Sequence, residues 1–261
     1  MLLAIDIGNS NIVIGIFHGD DLKADWRIAT DLHRTADEYA AILMNLIPMT
    51  GIEGSMVDEA IMCSVVPHLE LAFSGLCRRY FGISPLVVEA GVKTGVRVLT
   101  DNPREVGADR VVNSVAAHNM YGGPLIVIDF GTATTFDAVS VEGDYMGGAI
   151  APGINIAAEA LFTRTAKLPQ VEPVRPKNSI GRNTITAIQS GIFFGYIGMV
   201  EGIVARMTQE MGGTVRTVAT GGYADIMAQE TPVIQAVNPN LTLIGLRLIY
   251  DMNRGQTDAR A

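Results

Sequence analysis

The chain repeats itself. Residues 2–11, Leu-Leu-Ala-Ile-Asp-Ile-Gly-Asn-Ser-Asn, return nearly half a chain later as residues 125–134, Leu-Ile-Val-Ile-Asp-Phe-Gly-Thr-Ala-Thr. Each copy is four apolar residues, an Asp, one apolar residue, a Gly and then short polar side chains. The segments downstream of the two copies also match: 12–17, the turn His18-Gly19-Asp20-Asp21 and 22–28 in the first; 136–140, Glu142-Gly143-Asp144 and 145–150 in the second. Alternating apolar runs around a Gly/Asp turn read as a hairpin. Helical periodicity predicts helices over 36–47, 106–121 and 185–211, with further strands at 59–64, 86–88 and 217–220.

Hairpins mixed with helix-separated strands predict an α/β fold of two similar domains, each a mixed sheet flanked by helices. A chain of 261 residues accommodates two small domains. The boundaries are expected at 1–120 and 121–255, because Tyr121-Gly122-Gly123-Pro124 interrupts the helix there. Residues 254–261 read as a loose end.

Composition excludes several functions. Nineteen basic against 27 acidic residues leave a net charge of −8, the wrong sign for nucleic acid or an anionic membrane surface. Cys63 and Cys77 have no metal-spaced partner and read as buried thiols of a reducing compartment. His18, His33, His68 and His118 sit in unrelated contexts. Residues 1–5 lack a basic leader and a cleavage site, so a cytoplasmic location is expected. Residues 183–200 carry no formal charge but include Asn183, Thr184, Thr186, Gln189 and Ser190, which favours a buried helix over a membrane span.

The repeated loop points to phosphate chemistry. An Asp at a buried strand end is costly unless paired or bound to a cation. The Gly two residues on lets the backbone turn its N–H groups outward, and Asn9, Ser10 and Asn11, or Thr132, Thr134 and Thr135, add neutral donors. Two such loops facing one another would clamp a polyphosphate. A third strand end, Thr220-Gly221-Gly222-Tyr223, would let a flat adenosine lie against the backbone, though a plain tight turn explains it too. The chain has no G-x-x-x-x-G-K-[ST], G-x-G-x-x-G, G-x-S-x-G or H-E-x-x-H.

The three strand ends resemble the phosphate and adenosine motifs of the acetate and sugar kinase, heat-shock chaperone and actin superfamily. Asp101-Asn102-Pro103-Arg104-Glu105-Val106-Gly107-Ala108-Asp109-Arg110, Gly147-Gly148-Ala149-Ile150-Ala151-Pro152-Gly153 and Arg164-Thr165-Ala166-Lys167-Leu168-Pro169 narrow it further. Together they resemble the type III pantothenate kinases from residue 2 to about residue 250. The resemblance implies two ribonuclease H-like domains with a nucleotide cleft between them. It implies transfer of the ATP γ-phosphoryl group to pantothenate, the first step of coenzyme A synthesis.

It also implies roles. Asp6, Ile7, Gly8, Asn9, Ser10, Asn11, Ile12 and Val13 contact nucleotide, Asp6 through Mg²⁺ or water, and Thr132 contacts ATP. Asp129 holds a monovalent cation, K⁺ or NH₄⁺. Gly107, Ala108, Asp109 and Arg110 contact pantothenate, with Asp109 as proton acceptor. By its residues alone, Asp109-Arg110 reads rather as a helix-surface pair, although Pro103 starting a helix and Gly107 leaving room beside the chain would let a ligand approach. Thr184 is implied as a substrate contact reaching a partner subunit's site, although ordinary N-capping by Asn183 or Thr184 accounts for the same residues.

Gly191, Gly195, Gly198 and Gly202 form a one-sided stripe on the long helix. Such glycines call for a close helix neighbour, within the chain or in a homodimer, and the resemblance favours the homodimer. Ser10 stands where the family usually has Thr, and Thr100 where many members have an aromatic. The rival expectations are a sugar or other small-molecule kinase of the same superfamily, and a non-enzymatic nucleotide-dependent regulator.

Overall fold

The computed structural model describes residues 1–254. The remainder of the expected loose end, 255–261, lies outside the described residues. Two compact units emerge, one made of Met1–Val96, Asp101–Ala116 and the chain from Asn240 onward, the other of Arg97–Thr100 and Ala117–Pro239.

The first unit is built on five strands in the order β3-β2-β1-β4-β5. They are β1 (Leu2–Ile7), β2 (Asn11–His18), β3 (Asp21–Ala29), β4 (Glu59–Ser64) and β5 (Leu86–Val87). β1 is central, antiparallel to β2 and parallel to β4. Its residues alternate in destination because side chains point to opposite faces. Leu3, Ile5 and Ile7 pack with Tyr39 and Leu43 of α1 (Ala36–Leu46) and Leu69 and Phe73 of α2 (Pro67–Leu76). Leu2 and Ala4 pack with Val112 and Val115 of α3 (Ala108–Tyr121) and with Leu243, Leu246 and Ile249 near the C-terminus. α1 starts at a capping box: Glu38 N–H donates to the Thr35 hydroxyl, and Thr35 N–H donates back to the Glu38 carboxylate.

The second unit repeats this plan with β6 (Leu125–Phe130), β7 (Ala133–Val139), β8 (Tyr145–Pro152), β9 (Arg216–Gly221) and β10 (Ala236–Val237), in the order β10-β9-β6-β7-β8. β6 is antiparallel to β7 and parallel to β9, as β1 is to β2 and β4. The echo in the sequence is therefore a repeated topology. Ile126, Ile128 and Phe130 pack with α4 (Ile154–Thr163), α5 (Thr184–Met211) and α6 (Ala224–Glu230), through Ile154, Phe193, Val200 and Met227.

Several sequence expectations change. The division at 121–255 is not the one the contacts draw. Residues 241–253, which fall within the expected second domain, form helix α7 (Leu241–Asn253), which packs on the first sheet, and Asn253 fixes its end by bonding both Lys93 N–H and Lys93 C=O. Residues 97–100 join the second unit through the Arg97–Asp144 ion pair and a bond from Leu99 N–H to Tyr145 C=O. Pro103 opens a single 3₁₀ turn, Pro103–Glu105, and α3 begins only at Ala108. The Gly147–Gly153 run, by contrast, falls mostly in strand β8, as the hairpin pattern over 145–150 predicts. The long apolar helix α5 is not buried all round: Ser190, Phe193, Tyr196, Val200 and Val204 face inward, while Gly191, Gly195 and Gly198 are exposed. By length and composition it is apolar enough to cross a membrane, but its polar N-terminal turn and packed face suit a helix lying on its own sheet.

Candidate active site

In the first unit, the turn from β1 to β2 holds the first candidate phosphate loop. Gly8 N–H donates to Asn11 C=O at 3.0 Å and closes it. Thr30 fastens it from the end of β3, its hydroxyl donating to Gly8 C=O at 2.7 Å and its N–H to Ser10 C=O at 3.1 Å. Asn9, Ser10 and Asn11 are exposed at the tip, whereas Ile7 and Ile12 are buried anchors. Thr30 is a site residue that sequence reasoning missed, because only the sheet brings it to the loop.

Asp6 lies near the end of β1 in register with Val13 on β2 and Cys63 on β4. The Cys63 thiol is buried and donates to Asp6 Oδ1 at 3.3 Å. Burial raises its pKa well above the usual thiol value, and the negative charges of Asp6 and Asp109 add to the rise. The thiol therefore feels both carboxylates, which the structure brings to one end of the first sheet.

Asp109 lies in the first turn of α3, and Oδ1 accepts the Arg110 N–H at 2.9 Å. The carboxylate folds back over Gly107, where a Cβ would stand 2.5 Å from Oδ1. Gly107 caps the helix from outside, its carbonyl accepting Arg110 N–H at 3.1 Å. Burial raises the Asp109 pKa; the Arg110 N–H bond and guanidinium charge only partly offset it. A half-buried carboxylate with an elevated pKa is suited to taking a proton. The helix-surface reading of Asp109 does not hold, since Gly107, Ala108, Asp109 and Arg110 are all partly buried.

The second unit gathers Asp129, Thr132, Gly221 and Gly222. Gly131 N–H donates to Ala133 C=O, Gly153 N–H to Thr132 C=O at 3.0 Å, and Gly222 N–H to Phe130 C=O at 3.1 Å. The second loop is thus clasped on one side by the end of β8 and on the other by the end of β9. A Cβ at Gly153 would stand 2.6 Å from Gly131 O, and at Gly221, whose φ is +90°, 2.6 Å from Phe130 O and 2.7 Å from Asp129 Oδ1. Both positions demand glycine. Tyr223 OH donates to Asn155 Oδ1 at 2.7 Å, tying the Gly221-Gly222 turn to the start of α4.

The two halves differ in one detail. Ile7 pairs with Ile12, but Phe130 pairs with Thr134, so the second turn is one residue shorter. Asp129 consequently stands between Thr135 on β7 and Thr220 on β9, both oxygen-bearing, where Asp6 has Val13 and Cys63. Among the described residues, no three His, Cys, Asp or Glu side chains gather as a metal cage. Mg²⁺ typically relies on one or two carboxylates plus substrate phosphates, for which such a cage is unnecessary.

Thr184 is exposed at the first position of α5 and lines an open groove with Leu161, Leu168, Arg182 and Ile188. Asn183, not Thr184, is the cap: its side chain accepts Thr186 N–H at 2.9 Å. Beyond the helix's own backbone, nothing among the described residues lies within 4 Å of where Cβ atoms would stand at Gly191, Gly195 and Gly198, while at Gly202 the Arg206 guanidinium of the same helix stands at 3.2 Å. No other element of the chain packs closely on those glycines among the described residues.

A family model described as type III pantothenate kinase matches residues 2–206. The type III pantothenate kinase of Moorella thermoacetica is 54% identical over 253 residues, covering 97% of this chain and 100% of that one. A Campylobacter jejuni structure assigned to the Baf family of transcriptional activators aligns with a TM-score of 0.62 at 18% identity, over 96% of this chain and 98% of that one. A Sinorhizobium meliloti structure assigned as a 2-dehydro-3-deoxygalactonokinase aligns with a TM-score of 0.56 at 12% identity, over 98% and 100%. At such identities the two structures speak for the fold alone.

Proposed function

The chain belongs to the type III pantothenate kinase family and phosphorylates pantothenate with ATP, the opening step of coenzyme A synthesis, and from that premise we propose that Asp109 is the proton acceptor of the reaction. Its elevated pKa, its place at the N-terminus of α3 and the side-chain-free approach over Gly107 carry this reading. Asp109 takes the proton of the primary hydroxyl of pantothenate; the hydroxyl oxygen bonds to the γ-phosphorus; the bond from that phosphorus to the β–γ bridging oxygen breaks and ADP leaves. Phosphoryl transfer asks the protein mainly for positioning and charge neutralisation. Gly107, Ala108 and Arg110 would position pantothenate beside the base.

ATP with a divalent metal is the phosphoryl donor. The Asp6–Val13 loop and Thr132 would hold its phosphates, and Gly221 and Gly222 its adenosine side. Bound Mg²⁺ would neutralise phosphate charge, with Asp6 as the carboxylate nearest the first loop. Asp129 with Thr135 and Thr220 is an all-oxygen donor set, which fits a large, weakly hydrated monovalent cation such as K⁺ or NH₄⁺ better than does Asp6 beside Val13 and Cys63.

The exposed glycines Gly191, Gly195 and Gly198 support a homodimer formed along α5, with Thr184 offered to the partner's pantothenate. A cytoplasmic location suits this substrate and the two reduced thiols. The test is ADP release coupled to pantothenate, run in K⁺ and in Na⁺. Turnover that requires pantothenate and falls about 10²–10⁴-fold in Asp109→Asn is expected. Undiminished turnover in that variant would overturn the role of Asp109.

A further inference from the structure

Asp137 is a fully buried carboxylate for which the reaction has no evident use. It lies on β7 two residues beyond Thr135, on the same face of the strand. Tyr145, itself buried, donates its hydroxyl to Asp137 Oδ1 at 2.9 Å, and the Thr135 hydroxyl donates to Oδ2 at 3.3 Å. A hydroxyl proton thus points at each of the two carboxylate oxygens. Burying a carboxylate is costly, so a position like this on a strand calls for a function.

The consequence falls on Thr135. A hydroxyl has one proton and two lone pairs. With the proton committed to Asp137, the Thr135 oxygen can act toward any other neighbour only as an electron-pair donor. That neighbour is the space at Asp129, its direct cross-strand partner, with Cβ atoms about 4.5–5.5 Å apart in such pairs. Asp129 Oδ1 is directed toward the end of the sheet, near Gly131 and Gly221.

We propose that Thr135 is a second protein ligand of the monovalent cation at Asp129, and that Asp137 and Tyr145 are positioning residues that keep the Thr135 proton turned away from the ion. The inference rests on the reading of Asp129 as the cation site. It also explains why the second half of the repeat has the shorter turn. One residue more, as in the first half, would move every β7 side chain to the opposite face at this register and remove the hydroxyl.

The experiment measures thermal melting of the whole protein with Mg²⁺ and a non-hydrolysable ATP analogue, titrating KCl against choline chloride at constant ionic strength. The parent is expected to be stabilised saturably by K⁺, and Asp129→Asn to abolish this response. Thr135→Val should raise the half-saturating K⁺ concentration about tenfold, the worth of one good polar contact to a charge. Thr135→Ser should restore it, and Tyr145→Phe should raise it less. Melting in choline alone reports whether each variant folds, and the KM for ATP should rise in Thr135→Val more than kcat falls. A K⁺ response that is absent from the parent, or survives Asp129→Asn, overturns the cation reading and this inference with it. A response that needs Asp129 but is indifferent to Thr135→Val overturns the inference alone.

Discussion

Gly107 and Asp109 share one volume: the Asp109 carboxylate occupies the place where a side chain on Gly107 would begin, with Oδ1 2.5 Å from that point. Gly107→Ala should therefore push the carboxylate aside while leaving α3 intact. A misplacement of about 1 Å costs roughly 10²-fold in turnover. Steady-state kinetics should show that loss in kcat, with circular dichroism unchanged. A variant with parental kcat would remove Gly107 from the positioning of the base.

Asp109 should also set the pH behaviour. Burial raises its pKa above the ordinary 3.8, so kcat/KM should fall on the acid side at a higher pH than a normal carboxylate would give. The stability effect has the opposite sign. Below 3.8 both states carry the proton; as pH rises toward the folded value the unfolded chain ionises first, and the folded state loses ground. Asp109→Asn should melt higher than the parent at neutral pH, and the gap should close in acid.

Both thiols should be silent in the folded protein. Cys63 and Cys77 are buried and free, with Cys77 pushed up to about 12 by burial and Cys63 raised by burial and by carboxylate charge. The thiolate is the reactive form. A disulfide-exchange reagent at pH 8 should count no thiols in the native protein and both in guanidinium chloride.

The stripe on α5 offers a test by sign. Glycine in a helix interior costs roughly 0.5–1 kcal/mol relative to alanine, so Gly195→Ala should stabilise an isolated chain by about that amount. In a homodimer packed along the stripe, the added methyl should weaken association. Sedimentation and melting of Gly195→Ala, with Gly198→Leu as the stronger perturbation, separate the two.

The repeated Asp-x-Gly turn was legible because local patterning sets strands and turns, and the same pattern recurs at Asp6 and Asp129. Asp109 was recognisable only through its resemblance to a family, since a carboxylate next to an arginine has no local signature. The rest depends on register. Nothing near Asp6 in the chain announces Cys63 or Thr30, and the extra residue in the first turn shows only once Ile7 is paired with Ile12. Helix α7 escaped for another reason: Gly245 interrupts its pattern, yet the glycine is required, because a Cβ there would stand 2.7 Å from Val112 Cγ1.

That last helix has a consequence for how the molecule is made. Leu243, Leu246 and Ile249 complete the apolar layer begun by Leu2 and Ala4, so β1 waits for residues some 240 positions further along before one face of its sheet is covered. The second unit, contiguous apart from the short 97–100 segment, has all its strands and helices in place before α7 of the first unit is made. Nascent chains cut short before residue 240 would carry a finished second half and a first half with an open, sticky face, and are a natural target for chaperones and proteases.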